Sequence, residues 1–440
     1  MRKTLVAVLL LLVCSLSHAL DRQPGADYHA RREALSRKAG GVVVLLAPLE
    51  KMDAVVSVRQ EDNFYYLSGI TVPGAGLLIA PAVEGQDDTP ARSYSEILFL
   101  PPRNLRLEKY TGPQLGGDDP NAPKETGFDR VEDMSKLPQE VQKLLANQKP
   151  VIFTETASHG NAPASEDMAG FLKHSNAMVF FQDVRPMLTS LRTAKDAREI
   201  ALIQKAVDAS VAAHLAAMKA IKPNVKEYEI SALMNYEWQR RGCEGPSYSP
   251  IVGSGRNSTV LHYSENTNTM KAGDVVVIDA AAEYSMYAAD ITRTLPVNGH
   301  FTPRQKEIYE IVLGAQQAAA TAFQSGKSTL VGDGENSLDK VARDYIKSHG
   351  KDLHGQPLDQ YFIHGLGHYI GLNVHDDGDY KTPLAPGMVF TIEPGIYIPE
   401  ENIGIRIEDD FVVTNDGKLV KMSAALASKA EDVEKIMAGK

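Results

Sequence analysis

The sequence predicts two domains of different class, an α/β domain over residues 20–185 and an α+β domain over residues 186–440. In the first domain, short apolar segments typical of strands alternate with helical segments, which is the pattern of a mixed or mostly parallel sheet. In the second domain, the order helix, helix, strands occurs and is then repeated. The repeated order indicates an internal duplication with pseudo-two-fold symmetry.

Composition limits the classes of partner. The chain has 440 residues, 43% of them hydrophobic and 23% charged, which is typical of a globular protein that buries a sizeable core. Its net charge is −10, and no basic run is long enough to follow a phosphate backbone. We therefore expect no nucleic-acid partner and no attraction to anionic membrane surfaces.

The first nineteen residues have the layout of a signal peptide. Arg2 and Lys3 precede an apolar run over residues 5–13, and Ser17-His18-Ala19 matches a small-x-small cleavage site. The run is too short for a stable membrane anchor. A lipoprotein signal at Cys14 is disfavoured because Val13 precedes it. We expect an exported protein, periplasmic or secreted, in which Cys243 alone remains and no internal disulfide forms.

Individual elements of the first domain follow from apolar and turn-forming residues. Strands are predicted over residues 41–46, 64–67, 75–79, 97–100, 151–153 and 178–181, and helices over residues 31–38 and 136–145. Residues 86–92 and 112–125, rich in Gly, Pro and Asp, predict exposed loops. His159 and His174 are isolated, so we expect surface or structural roles for them.

Four helices are predicted in the second domain. Thr193, with Asp196 three residues on, predicts a capping box that opens an amphipathic helix to about residue 221. Further helices are predicted over residues 226–240, 303–323 and 337–349. The strand-rich stretches between and after them carry the chemistry.

Two aspartates stand in strand-like segments of the first such stretch. Asp279 ends the apolar run Val275-Val276-Val277-Ile278, and Asp290 follows eleven residues later. A buried ionised carboxylate costs several kcal/mol unless a cation or hydrogen bonds meet it. Taken singly, each aspartate is as readily a turn cap or an ion-pair partner. Two of them on strands joined by a short connection can point at one place.

Histidines cluster further along the chain. Only 12 occur in 440 residues, yet His364, His368 and His375 fall within the stretch HGLGHYIGLNVHD. Clustered histidines are typical of metal binding or electrophilic catalysis. Glycines at positions 365, 367 and 371 predict close backbone packing around them.

Two more carboxylates follow on strand-like segments. Glu393 interrupts an apolar strand just before a Pro-Gly turn. In the stretch IGIRIEDDFVV, alternation puts Arg406 and Glu408 on the face opposite the isoleucines. Such a strand is either a solvated edge strand or the lining of a polar site.

Together these residues indicate a dinuclear metal site. Four carboxylates and one neutral histidine balance the charge of two divalent cations. A ligand set dominated by oxygen favours Mn²⁺ and tolerates Co²⁺ or Zn²⁺. Two-metal sites activate a water molecule and polarise a carbonyl.

At these residues the chain resembles the metal-dependent "pita-bread" peptidases, and most closely the aminopeptidase P (Xaa-Pro aminopeptidase) family. The matching stretches are IVGSGRNSTVLHY at 251–263, the two-aspartate segment, HGLGH with the later HD pair, the Glu-Pro-Gly turn at 393–395 and the RIE strand at 406–408. The segment RQEDNFYYLSG at 59–69 extends the resemblance into the first domain.

The resemblance implies a role for each residue. The implied metal ligands are Asp279, Asp290, His368, Glu393 and Glu408. Asp290 and Glu408 would bridge the ions, and Glu393 would also act as general base. The implied substrate-binding and intermediate-stabilising residues are His262, His364 and His375, with Arg406 orienting the carboxylates. The substrates would be peptides with proline in second position, and a homodimer or homotetramer is expected.

One departure and three alternatives accompany this reading. Ala281 stands where the family usually has glycine, and would be strained if the backbone there needed φ > 0. A prolidase that cleaves only Xaa-Pro dipeptides has the same metal motifs. Methionine aminopeptidase generally lacks so large a first domain. A non-catalytic peptide-binding protein on the same fold would have lost ligands, and none is missing here.

Overall fold

The computed structural model describes residues 21–49, 59–83, 92–146, 151–155 and 179–439. The predicted signal peptide with Cys14, the loop over residues 86–91, and both His159 and His174 lie outside these residues. Cys243 is buried and forms no disulfide within the described chain.

The first domain is built on a six-stranded mixed sheet. Its strands are β1 (Val42–Leu46), β2 (Gly76–Val83), β3 (Arg92–Leu100), β4 (Val131–Asp133), β5 (Val151–Thr154) and β6 (Phe180–Asp183). They lie in the order β4-β3-β2-β1-β5-β6, with β2 antiparallel to both neighbours and the other pairs parallel. The helices are α1 (Gly25–Ala39), α2 (Asp62–Ser68), α3 (Glu108–Thr111), α4 (Ala122–Thr126) and α5 (Leu137–Leu145). The predicted mixed sheet is confirmed.

The strand predicted over residues 64–67 is wrong, because these residues lie inside helix α2. The Glu61 side chain accepts hydrogen bonds from the backbone N–H groups of Asn63 and Phe64, which caps the helix. Gly69, with φ of 61°, ends it in the left-handed conformation. The aromatic residues favoured a strand by propensity, but the two caps and the buried position decide for a helix.

Helix α6 (Arg185–Arg192) lies at the predicted boundary between the domains, and the long helix α7 (Ala197–Ala220) follows it. The predicted capping box is displaced by three residues: Asp196 is the N-cap and pairs with Glu199, whereas Thr193 ends the preceding helix. Helix α7 is long and apolar enough to span a membrane, but more than half of its most apolar stretch is buried, as in a core helix.

The repeated order of elements in the second domain is observed. Helices α7 and α8 (Glu227–Gln239) precede β7 (Gly245–Pro246), β8 (Ile251–Ser254), β9 (Val275–Asp279), β10 (Ala282–Tyr284), β11 (Tyr287–Ala288) and β12 (Thr292–Pro296). Helices α9 (Pro303–Ala322) and α10 (Leu338–Ser348) precede β13 (Val389–Ile392), β14 (Gly395–Ile398), β15 (Ile403–Arg406), β16 (Asp409–Val413) and β17 (Leu419–Lys421), and α11 (Ala430–Met437) closes the chain.

The strands of the two repeats meet in the middle of the domain. Antiparallel pairs β9–β12 and β13–β16 carry the apolar core of each repeat. A backbone bridge between Thr292 and Glu408 joins the repeats where the acidic residues lie. The ends of strands from both halves therefore converge on one place.

Candidate metal centre

One cavity of about 460 Å³ holds all the residues singled out by sequence. Its lining includes Asp279, Asp290, His368, Glu393, Glu408, His262, His364, His375 and Arg406. These residues are spread over 147 positions of the chain, from 262 to 408, so only the fold brings them together. The cavity also contains Tyr248 and Leu261, which the sequence did not single out.

Asp279 and Asp290 approach each other from the two legs of the β9–β12 hairpin. The Tyr248 hydroxyl lies 2.6 Å from Asp279 Oδ1 and 2.5 Å from Asp290 Oδ1. A hydroxyl has one proton, which Tyr248 can share between the two carboxylates. Both aspartates therefore lie against the same hydroxyl group.

The second repeat supplies two glutamates. Glu393 follows β13, and Glu408 lies between β15 and β16. Glu408 is 1% exposed, and Thr292 Oγ1 donates to its Oε2 at 2.6 Å. Its other oxygen, Oε1, is buried without a hydrogen-bond partner among the described residues. The alternative of a solvated edge strand is therefore wrong.

His368 completes the cluster. Its Nε2 lies 3.3 Å from Asp290 Oδ2 and 3.4 Å from Glu393 Oε1. One ligand atom each from Asp290, His368 and Glu408 falls within 4.8 Å of the others, which is close enough to surround one metal ion. The backbone N–H of His368 donates to Thr391 Oγ1, which fixes this segment against β13.

The electrostatics of the carboxylates fit a cation. Burial and the charge of Asp279 raise the pKa of Asp290 well above its usual value. Burial and the charge of Glu408 do the same for the pKa of Glu393, and burial with Asp290 raises the pKa of Glu408. Hard oxygen donors, one imidazole and an unpartnered buried oxygen match the ligand preferences of divalent metal ions.

Arg406 contacts Asp279 from one side of the cavity. Its Nη2 donates to Asp279 Oδ2 at 2.6 Å, its Nη1 donates to the Tyr397 hydroxyl at 2.7 Å, and its Nε approaches Thr292 Oγ1 at 3.3 Å. The whole Arg406 residue is only 3% exposed, so its guanidinium is buried. A planar fork that serves three partners at once is a property of arginine that lysine lacks.

The histidines line the cavity in different states. His364 accepts from the Tyr397 hydroxyl at Nε2 and donates from Nδ1 to the Gly365 carbonyl, because a carbonyl only accepts. Burial and Arg406 lower the pKa of His364 to about 4, so its ring is neutral. His375 is exposed and its ring contacts that of His368 edge to face at 4.3 Å, and His262 is also exposed.

Close backbone packing explains two of the three glycines in the histidine segment. A Cβ at position 367 would lie 2.1 Å from the Thr391 carbonyl oxygen, and one at position 371 would lie 2.1 Å from Asp376 Oδ2. At position 365 the nearest atom would be 3.8 Å away, so that glycine is not required by packing.

Ala281 is accommodated without strain. It is fully buried, and it is not among the described non-glycine residues with positive φ. Its carbonyl accepts from both the backbone N–H and the hydroxyl of Ser247. The expected conflict with a left-handed backbone does not arise.

Several residues of the site were missed by sequence reasoning. They are Tyr248, Thr292, Thr391, Tyr397 and Asp410, whose Oδ2 accepts from the Asp290 backbone N–H. Hydroxyl residues are common, and nothing in their local pattern distinguishes a site residue from a surface one. Asp410 lies two residues after Glu408, and that acidic run was the one available signal.

Comparison with known proteins agrees with this geometry. Residues 28–153 match the family described as "Aminopeptidase P, N-terminal domain", and residues 201–415 match "Metallopeptidase family M24". The chain is 36% identical to the Xaa-Pro aminopeptidase of Escherichia coli over 93% of this chain and 97% of that protein. It is 32% identical to the Xaa-Pro dipeptidase of Pyrococcus furiosus over 82% and 91% of the two chains.

Comparison with a solved structure shows the same similarity at the level of the fold. Aminopeptidase P from E. coli with the inhibitor Pro-Leu superposes with a TM-score of 0.83 at 32% identity, covering 95% of this chain and 99% of that one. Both domains therefore match in order and extent. The chain belongs to the aminopeptidase P family of metal-dependent M24 peptidases.

Proposed function

We propose that the protein is an exported Xaa-Pro aminopeptidase whose active site holds two divalent metal ions, with Mn²⁺ the favoured metal. The observation that carries this proposal is the cluster of four carboxylates and His368 in one cavity, where Glu408 Oε1 has no hydrogen-bond partner in the described part of the chain. The proposed ligands are Asp279, Asp290, His368, Glu393 and Glu408, with Asp290 and Glu408 bridging. When bound, the ions would activate water and polarise the scissile carbonyl.

The chain's own residues have the following proposed roles. Glu393, whose pKa burial and Glu408 raise, accepts a proton as general base. His262 and His375 are exposed in the cavity and can contact the substrate. Both ring nitrogens of His364 bond within the protein, so it contacts the substrate only by exchanging one of those bonds. Arg406 and Tyr248 hold Asp279 in place.

Substrates are proposed to be peptides with proline in second position. The relatives support this: one is an Xaa-Pro aminopeptidase, and the solved E. coli enzyme carries a dipeptide inhibitor that begins with proline. The dipeptidase of P. furiosus supports prolidase activity as the second candidate, although it matches less of this chain.

The decisive experiment compares two substrates. Metal-stripped protein is reloaded with Mn²⁺, Co²⁺ or Zn²⁺ and incubated with Ala-Pro and with Ala-Pro-Ala. Release of alanine from the tripeptide supports the aminopeptidase. Cleavage of the dipeptide alone supports the prolidase. No turnover with any metal by protein of unchanged circular dichroism would refute both. Asp290→Asn, which removes one bridging carboxylate, is the matched inactive control.

Export and assembly are separate parts of the proposal. Export rests on the basic start, apolar run and small-x-small site at residues 1–19. Expression of the full chain in a bacterium, followed by fractionation and N-terminal sequencing, should yield a mature protein that begins at Leu20. Uncleaved protein in the cytoplasm would contradict export.

Light scattering after size exclusion should give a dimer or tetramer, and a monomer would contradict the proposed assembly.

A further inference from the structure

The two aspartates stand on one long hairpin, close to the point where the strand pair β9–β12 gives way to the pair β10–β11. Below this point Asp279 pairs with Thr292, and at the tip Glu283 pairs with Ala288. Ala280 and Ala281 on one leg and residues 289–291 on the other belong to no strand. Two backbone hydrogen bonds still cross between the legs here, from the Ala280 N–H to the Ile291 carbonyl and from the Ala289 N–H to the Ala282 carbonyl. Three residues on each leg separate the two flanking pairs, which keeps the register, and Asp290 lies within this interval.

Three side chains each bond to both legs across this interval. The Tyr248 hydroxyl contacts Asp279 and Asp290 themselves. The next contact is made by His214, whose Nε2 lies 3.0 Å from the Ala280 carbonyl oxygen and 3.1 Å from that of Ile291.

The third bridging side chain is Ser247, which follows β7. Its hydroxyl lies 3.1 Å from the Ala281 carbonyl oxygen and 2.8 Å from that of Ala289. Ser210, one turn before His214 on α7, accepts from the Ala282 backbone N–H at 2.9 Å. The hairpin is therefore held from α7 on one side and from the segment after β7 on the other.

The chemistry of His214 fits a fixed donor. The residue is fully buried, and both partners of Nε2 are carbonyls, so this nitrogen bears the proton. Its Nδ1 is buried and has no hydrogen-bond partner among the described residues, as expected of the unprotonated nitrogen of a neutral ring. Burial and the charge of Arg293 lower the pKa of His214 to about 4. The ring thus donates one hydrogen bond, shared between the two legs.

We infer that His214 and Ser247 are positioning residues that set the separation of the Asp279 and Asp290 carboxylates, and through it the metal affinity of the site. The inference rests on the proposed function, in which both aspartates are metal ligands. Outer groups that orient metal ligands typically contribute 10–100-fold to metal affinity or activity. His214 acts on the backbone one residue beyond each aspartate, so its loss lets the legs separate without removing a ligand.

The test uses the full chain and four variants. His214→Leu removes the donor at similar volume, and His214→Gln retains an amide N–H. Ser247→Ala removes the other bridging hydroxyl, and Ile203→Val is a control at a fully buried position of the same helix. Mn²⁺ affinity and stoichiometry are measured by calorimetry on stripped protein. The visible spectrum of the Co²⁺ form reports ligand geometry, and kcat and KM are measured at saturating Mn²⁺.

His214→Leu should bind at least one ion about 10–100-fold more weakly and change the Co²⁺ spectrum. Its kcat should fall while KM stays within about twofold, since no group that contacts substrate is lost. His214→Gln should recover most of the affinity, Ser247→Ala should weaken binding less, and Ile203→Val should match the parent protein.

The outcomes separate the inference from the function on which it rests. If the parent protein binds no metal, or Asp290→Asn binds it equally well, the proposed function fails. If the parent binds two ions and His214→Leu does so with the same affinity and spectrum, the inference fails. It also fails if His214→Gln is no better than His214→Leu, because the effect is then general destabilisation. Should His214→Leu not fold, unchanged metal binding by Ser247→Ala refutes the inference.

Discussion

Arg406 and Asp279 come from opposite repeats of the second domain and meet in a buried ion pair, with Nη2 2.6 Å from Oδ2. The guanidinium also donates to the Tyr397 hydroxyl, which in turn donates to His364. One buried cation thus connects a proposed metal ligand to a proposed substrate-binding histidine. Its removal would leave the Asp279 carboxylate without its charge partner.

Replacement of Arg406 by lysine should lower kcat/KM by about 10–100-fold, because a single ammonium cannot hold Asp279, Tyr397 and Thr292 together. The loss should appear in steady-state kinetics on an Ala-Pro peptide at saturating metal. Arg304→Lys, at a partly exposed pair with Glu401, is the control and should leave the kinetics unchanged. Equal activity of Arg406→Lys and the parent would show that charge alone suffices.

Metal binding should be coupled to proton release. Burial raises the pKa values of Asp290, Glu393 and Glu408 in the metal-free protein, so protons compete with an ion for these carboxylates. Metal affinity should therefore rise with pH. Calorimetric titration with Mn²⁺ in buffers of different ionisation enthalpy measures the number of protons released. A binding enthalpy independent of the buffer would contradict the prediction.

The same shifts predict how stability depends on pH. A raised pKa in the folded state gives stability at low pH that is lost as the pH rises through the folded value. Removal of metal should therefore lower the melting temperature by more as the pH rises above the ordinary carboxyl pKa of about 4. Thermal unfolding with and without a chelator, over a series of pH values, measures the difference. A loss that becomes smaller as the pH rises would contradict the assignment of these groups.

His214 should make stability depend on pH in the opposite direction to the three carboxyl groups. Its pKa is about 4 in the fold and about 6.5 in an unfolded chain, so its contribution is complete above about pH 6.5 and decreases as the pH falls towards 4. Over this window the stability advantage of the parent protein over His214→Gln should shrink by about 1.4 kcal/mol per pH unit. Urea unfolding of both metal-free proteins measures it, and a constant difference would show that the buried ring titrates normally.

A buried ion-pair cluster should be essential for the histidine segment. Asp376, next to His375, lies 2.5 Å from Arg192 Nη2 and 2.9 Å from Lys195 Nζ. Although burial opposes ionisation, the charges of Lys195 and Arg192 lower the pKa of Asp376. Asp376→Asn removes the charge partner of the buried Lys195 ammonium and leaves Arg192 only its longer contacts with Asp62 and Asp377. It should cost about 3–5 kcal/mol of unfolding free energy.

Denaturant unfolding measures the effect of Asp376→Asn. The matched control is Asp344→Asn, which removes an exposed pair with Lys340 and should cause no measurable loss. Equal stability of the two variants would mean that solvent reaches the Asp376 cluster. Gly371→Ala should imitate Asp376→Asn, because its Cβ would collide with the Asp376 carboxylate.

Much of this protein is determined by local sequence. Apolar runs bounded by turn residues predicted β1, β9 and β13, and the predicted helices over residues 303–323 and 337–349 are observed as α9 and α10. Residue type and spacing also singled out eight of the residues that line the cavity, since carboxylates and histidines on apolar strands are costly without a partner, and the family resemblance added His262.

Only the tertiary structure decided the rest. The aromatic segment in α2 became a helix because of Glu61, Gly69 and its buried packing, although its propensity favours a strand. Hydroxyl groups such as Tyr248 and a neutral core histidine such as His214 carry no local signal, because their roles depend on which carbonyls and carboxylates the fold brings within about 3 Å. Ligand identity is a property of residue type, whereas ligand spacing is set by contacts between segments far apart in the chain.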